Sequence, residues 1–298
     1  MPAKILVALD GTRTSESILP YVEFLLRYQD ADLTLATVSP PGKAVEDDYL
    51  RETAERLNRK GAVVSYETLS GHPADALVAF AAGGRFDLLA LCSRKAGLKR
   101  LLFGSVAEEI LRTSTVPVFV VPPAEKREAP PALNKILLPL DGSHRSASIL
   151  KPAAVLAKAF GAKLCFVTVV APTKKDELPV ETVAHNLFRD QKALRDEGLD
   201  VDVAVLYGDP VDRVLAYAEE NNVDLIGLAT HGRGGLNKLR YGNVAESLLR
   251  KSHRAMLVVR TAAIPKTKAR SSRALKAKHH ALETMAAGGD MKKGPYNR

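Results

Sequence analysis

The 298-residue chain has no tryptophan, two cysteines and only 5% aromatic residues. Cys92 and Cys165 each stand alone in an apolar stretch, with no CxxC or Cys/His spacing. That excludes a disulfide framework and a structural zinc site. Both read as buried thiols, which suit a reducing compartment. No apolar run reaches the roughly 18–20 residues that span a bilayer. The opening Met-Pro-Ala-Lys-Ile-Leu-Val-Ala-Leu-Asp lacks a signal peptide's long apolar region and cleavage site, and reads as a strand. The expectation is a cytoplasmic chain without a membrane span. No GxxxxGK[ST] occurs, so a P-loop is out. Most of the chain also lacks a charge excess. Residues 262–298 hold nine Lys and Arg against two acids, so +7 of the net +9 belongs there and +2 to the rest.

What is present is a repeat. Lys4-Ile-Leu-Val-Ala-Leu-Asp10-Gly-Thr returns 131 positions later as Lys135-Ile-Leu-Leu-Pro-Leu-Asp141-Gly-Ser. Gly104-Ser-Val-Ala-Glu returns as Gly242-Asn-Val-Ala-Glu at an offset of 138. The seven-residue drift predicts an insertion within 172–197. Each copy alternates Val/Ile/Leu-rich runs with amphipathic helical stretches. The runs are 3–9, 32–38, 62–68, 86–91 and 116–121, then 134–140, 162–170, 200–206, 223–229 and 255–260. Continuous apolar runs mark strands buried on both faces, and alternation with helices implies βαβ units. Each copy is therefore expected to be a five-stranded, doubly wound, parallel α/β domain.

Domain boundaries follow as 1–122, a Pro-rich linker at 123–133, 134–261, and a basic tail at 262–298 whose composition predicts disorder. The tail's charge suits nonspecific contact with nucleic acid or an acidic surface.

Ligands of open α/β sheets bind beyond the carboxyl ends of the strands, where strand order reverses. In copy two, Leu140 and Asp141 end the first strand and Val169 the second. The fourth runs into Ala229-Thr-His231-Gly232-Arg-Gly-Gly235, and a helix starts near Gly242-Asn243-Val244. Helix N-termini and glycine-rich backbone favour anions. Asn243 is a good helix-capping type and a donor for phosphate. A carboxylate at Asp141 suits a ribose hydroxyl or a divalent ion. Taken alone, a glycine-rich turn and an Asp-Gly turn are weak signs. Recurrence of Asp-Gly in both copies adds weight.

At these residues the chain resembles a tandem universal stress protein, over about 3–121 and 134–260. The family motif is Gly-x2-Gly-x9-Gly-Ser/Thr; copy two reads Ala229-x2-Gly232-x9-Gly242-Asn243. The resemblance implies Rossmann-like domains of the adenine nucleotide alpha hydrolase type, with strand order 3-2-1-4-5 and helices on both faces. It also implies ATP, with Mg²⁺, bound by copy two. A pseudo-dimer of the two copies through their fifth strands is implied, and a homodimer is compatible with it. The implied role is a stress-response regulator rather than an enzyme, with at most slow ATP hydrolysis. Aligned on Gly104-Ser105, copy one puts Leu91 and Arg94 at the glycine positions and Ser93 at that of His231. It therefore reads as degenerate, keeping Asp10, Val38, Gly104 and Ser105.

Two other readings compete. One is a scaffold without nucleotide, working through dimerisation and the tail. The other is an adenylating enzyme, disfavoured by the lack of a catalytic cluster. His144 beside Asp141-Gly-Ser143 lacks the geometry of a triad. His72-Pro73 and Asp209-Pro210 read as helix starts, and His279-His280 as solvated tail residues.

Overall fold

The computed structural model describes residues 3–28, 31–39, 48–58, 63–93, 104–123, 133–171, 180–231 and 243–261. The expectations for linker residues 124–132, the tail, Arg94, Gly232, Gly235 and Gly242 lie outside them. Ten strands alternate with eight helices among the described residues. The first half runs β1 (Ala3–Ala8), α1 (Leu19–Tyr28), β2 (Ala31–Ser39), α2 (Asp48–Asn58), β3 (Val63–Ser70), α3 (Pro73–Gly83), β4 (Leu88–Cys92), α4 (Ser105–Thr113) and β5 (Val118–Val121). The second runs β6 (Lys135–Pro139), α5 (Leu150–Phe160), β7 (Lys163–Val170), α6 (Val180–Asp196), β8 (Val201–Tyr207), α7 (Pro210–Glu220), β9 (Leu225–His231), α8 (Asn243–Lys251) and β10 (Ala255–Thr261). A 3-10 turn precedes α1 at Ser15–Ile18 and α5 at Ser146–Ile149.

The strands form one sheet in the order β3-β2-β1-β4-β5-β10-β9-β6-β7-β8. Each half has the order 3-2-1-4-5 with parallel pairing, and the halves join by the antiparallel β5·β10 pair. The strands alternate their side chains between two core layers. Ile5, Val7, Leu138 and Phe166 face α1, α2, α5 and α6. Leu6, Leu89, Leu137 and Ile226 face α3, α4, α7 and α8. Burial on both faces accounts for the unbroken apolar runs of the inner strands, whereas the outermost strands β3 and β8 are only partly covered, against the expectation for runs 62–68 and 200–206. Phe24 of α1 stacks on Phe160 of α5 with ring centroids 5.0 Å apart, which ties the halves on one face.

The register locates the drift between copies. Ile5 pairs with Leu33 and Leu88, and Ile136 with Leu164 and Leu225. Counterparts are thus 131 apart in β1/β6 and β2/β7, but 137 apart in β4/β9. Leu33 pairs with Val64 and Leu164 with Val201, again an offset of 137. Six of the seven extra residues therefore lie between β7 and β8. The seventh lies between β9 and α8.

That single residue corrects the alignment drawn from sequence. The counterpart of Ala229 is Cys92, not Leu91, and Ser93 does not stand at the position of His231. Ser93 matches Thr230, and both are buried. The sequence match was anchored on the helix starts, beyond a loop of unequal length, whereas hydrogen-bond register follows the strands.

Candidate functional site

Strand order reverses at β6, which has β7 on one side and β9 on the other. Pro139 pairs with Val167, so the same register carried two residues on sets Asp141 level with Val169. Leu137 pairs with Ile226, which sets Leu140 level with Ala229. The carboxyl ends of three strands therefore bring these four residues to one edge. They do not share a face. Val169 packs with the layer under α7 and α8, whereas Leu140 and Ala229 belong to the layer under α5 and α6. Leu140 is buried in that core, and its N–H donates to the Val167 carbonyl at 2.8 Å.

Asp141 sits in a tight turn that its own carboxylate organises. The Ser143 N–H donates to Asp141 Oδ1 at 3.0 Å. The Ser146 N–H donates to Ser143 Oγ at 3.2 Å, and Ser146 Oγ donates back to the Ser143 carbonyl at 3.0 Å. Such Asx turns favour Asp before Gly. Gly142 has φ +73°, a conformation open to glycine. Although Asp141 as a residue is exposed, its surroundings partly desolvate the carboxyl, which opposes the charge. Hydrogen bonds from the Ser143 and Ser146 side chains and from the Ser143 and Asp141 N–H groups outweigh that effect. The carboxyl is held below the ordinary aspartate range, so it is ionised at neutral pH.

Helix α6 closes over this turn. Asn186 Nδ2 donates to the Gly142 carbonyl at 2.8 Å. Val183 packs so close that a Cβ on Gly142 would lie 2.9 Å from its Cα. Neither residue was singled out from sequence, because α6 follows the inserted segment and has no motif of its own.

The first half repeats the turn. The Thr12 N–H and Oγ1 donate to Asp10 Oδ1 at 3.0 and 2.6 Å, and Gly11 also has φ +73°. Ala8 pairs with Ala36, so the register sets Asp10 level with Val38. Gly104 precedes α4 with φ +83°, and exposed Ser105 begins the helix. Ser93 folds back instead, donating through both N–H and Oγ to the Val121 carbonyl at 2.8 and 3.1 Å.

At α8, Asn243 is the first helical residue and is exposed, one position inside a capping role. Val244 is half-buried against the core. His231 closes β9 through its pairing with Thr261.

Comparison with known proteins follows the same division. The universal stress protein family model matches residues 1–122 and again 132–260. The chain is 26% identical over 258 residues to the universal stress protein Slr1230 of Synechocystis sp., covering 84% of this chain and 81% of that protein. It is 31% identical over 138 residues to the universal stress protein MJ0531 of Methanocaldococcus jannaschii, covering 42% and 81%. A solved universal stress protein from Archaeoglobus fulgidus shares the fold, with TM-score 0.70 and 23% identity, over 86% of this chain and 98% of that one. Repeat, sheet order and double match agree: the chain belongs to the universal stress protein family and carries its unit twice in tandem.

Proposed function

We propose that the second half binds an adenine nucleotide, ATP with Mg²⁺, and that the protein acts as a regulator or signalling module in the stress response. The observation that carries this is Asp141, an ionised carboxylate fixed where the strand order reverses, level with Val169. In this reading Asp141 takes the ribose or metal side and Val169 lies against adenine. Gly232, Gly242 and Asn243 meet the phosphates, with Leu140, Ala229, His231, Gly235 and Val244 around them. Mg²⁺ takes oxygen ligands, usually one or two carboxylates together with phosphates and water. Asp141 fits that donor set, and the ion would neutralise phosphate charge. No catalytic residue is assigned. Binding biases a conformation that a partner reads.

The same reading divides the chain at 1–122, 123–133, 134–261 and 262–298, places it in the cytoplasm, and treats Asp10, Val38, Gly104 and Ser105 as a weaker site or a relic. Among the described residues no helix is long and apolar enough to cross a membrane.

Calorimetry with ATP and Mg²⁺ tests the proposal on wild type and on Gly232→Trp. Heat in the first and none in the second is expected. Equal heats, or none in either, would overturn it in favour of the scaffold without nucleotide.

A further inference from the structure

We propose that His72, Asp75 and Glu109 form a site for a divalent transition-metal ion of the zinc, cobalt or nickel kind, bridging α3 and α4. His72 directly precedes α3, Asp75 lies in the first turn of α3, and Glu109 lies on α4. His72 Nδ1 is 3.6 Å from Asp75 Oδ2 and 3.7 Å from Glu109 Oε2. One ligand atom from each of the three lies within 4.8 Å of the others. Two ligands of a tetrahedral ion, each bound at about 2.1 Å, stand about 3.4 Å apart. The trio therefore needs only small side-chain rotations to close on one ion. One imidazole nitrogen and two carboxylate oxygens suit these metals, with water completing the shell.

The second half shows what the same positions do without such a role. There Asp209 caps α7, accepting from the N–H groups of Val211 and Asp212 at 2.9 and 3.1 Å. Asp212, the counterpart of Asp75, pairs with Lys251 at 3.5 Å. Ser247 stands at the position of Glu109, 138 residues on. In the first half the residue before the helix gives no side-chain cap. Its imidazole faces two carboxylates instead.

Charge points the same way. Two carboxylates converge here, and Arg112 pairs with the other oxygen of Glu109 at 3.4 Å. A divalent ion offsets the remaining negative charge. The side chains of His72 and Asp75 are 59% and 72% exposed, so an ion can enter without rearrangement of the core.

His279-His280 is a competing ligand pair in the same chain. The experiment therefore uses the full chain carrying His279→Ala and His280→Ala. Co²⁺ is titrated and followed by its visible absorption and by calorimetry. One equivalent should bind. His72→Gln and Glu109→Gln, each added separately, should weaken binding at least about tenfold, the loss that even an outer-shell change can cause. Asp209→Asn in the second half should leave it unchanged. Circular dichroism checks folding, and if His72→Gln misfolds, Glu109→Gln decides. No Co²⁺ uptake at millimolar concentration, or an affinity that neither variant changes, would overturn the site.

Discussion

Phe119 and Leu257 pair with each other where β5 meets β10, and each is the structural counterpart of the other. Leu89 pairs with Val118 and Ile226 with Met256, so β5 and β10 correspond at an offset of 138, which maps Phe119 onto Leu257. The flanking pairs, Val120 with Met256 and Val118 with Val258, are mirror images under the same offset. A local two-fold axis therefore passes between these two residues. Both are almost fully buried, and Tyr21 meets the Phe119 ring edge-on at 5.9 Å.

Truncation at that centre should be costly. Phe119→Ala removes a buried ring that cannot be replaced by collapse of a paired backbone, and about 3–5 kcal/mol of stability should be lost. Urea unfolding measures it as a lower midpoint at unchanged slope. A loss under about 1 kcal/mol would contradict the central role of the pair.

Gly11 and Gly142 share φ +73° but not their surroundings. A Cβ on Gly11 meets nothing within 4 Å, while one on Gly142 presses on Val183 of α6. Gly11→Ala should cost about 1–2 kcal/mol, from the left-handed backbone alone. Gly142→Ala should lose a further amount of about 1–3 kcal/mol through overpacking. Equal losses in denaturation would show that α6 yields.

The two halves solve one packing problem in opposite ways. Val7 pairs with Ala90, and their counterparts are Leu138 and Gly227. A Cβ on Gly227 would run into Leu138 Cδ2 and lie 3.1 Å from Ile149 Cγ1. Gly227→Ala should thus destabilise, and adding Leu138→Val should recover most of the loss by recreating the first half's pair. A double-mutant cycle in urea reads this as a coupling of about 0.5–3 kcal/mol. Additive losses would refute it.

The Asp141 carboxyl is depressed below its ordinary value of 3.8 in the folded state. Its contribution is therefore complete above the unfolded value and is lost as pH falls through the folded one. The stability gap between wild type and Asp141→Asn should stay flat from neutral pH down to about 5 and narrow below about 4. Thermal melts across that range provide the check, and a gap that widens on acidification would reverse the assigned sign.

Much of this architecture was readable in advance, for a physical reason. Strands buried on both faces must be apolar throughout, so runs such as 162–170 and 223–229 stood out, and β7 and β9 lie over them. The Asp-Gly turns were readable because an Asx turn needs those residue types. Strand register was not, since nothing local in Leu91 or Cys92 tells which will stand beside Val121. Nor could sequence show that Val169 and Ala229 reach one edge from opposite faces, which depends on strand parity. Asn186 and Val183 were hidden because their partner, Gly142, is 44 residues from Asn186 along the chain.

The antiparallel seam also fixes how the molecule can grow. With β5 and β10 occupying each other's open sides, the middle of the sheet has no docking valence left. Among the described residues, the edges left for strand addition are the outer rims, β3 and β8. There Val63 and Tyr207 stand out to solvent, at 76% and 69% exposure.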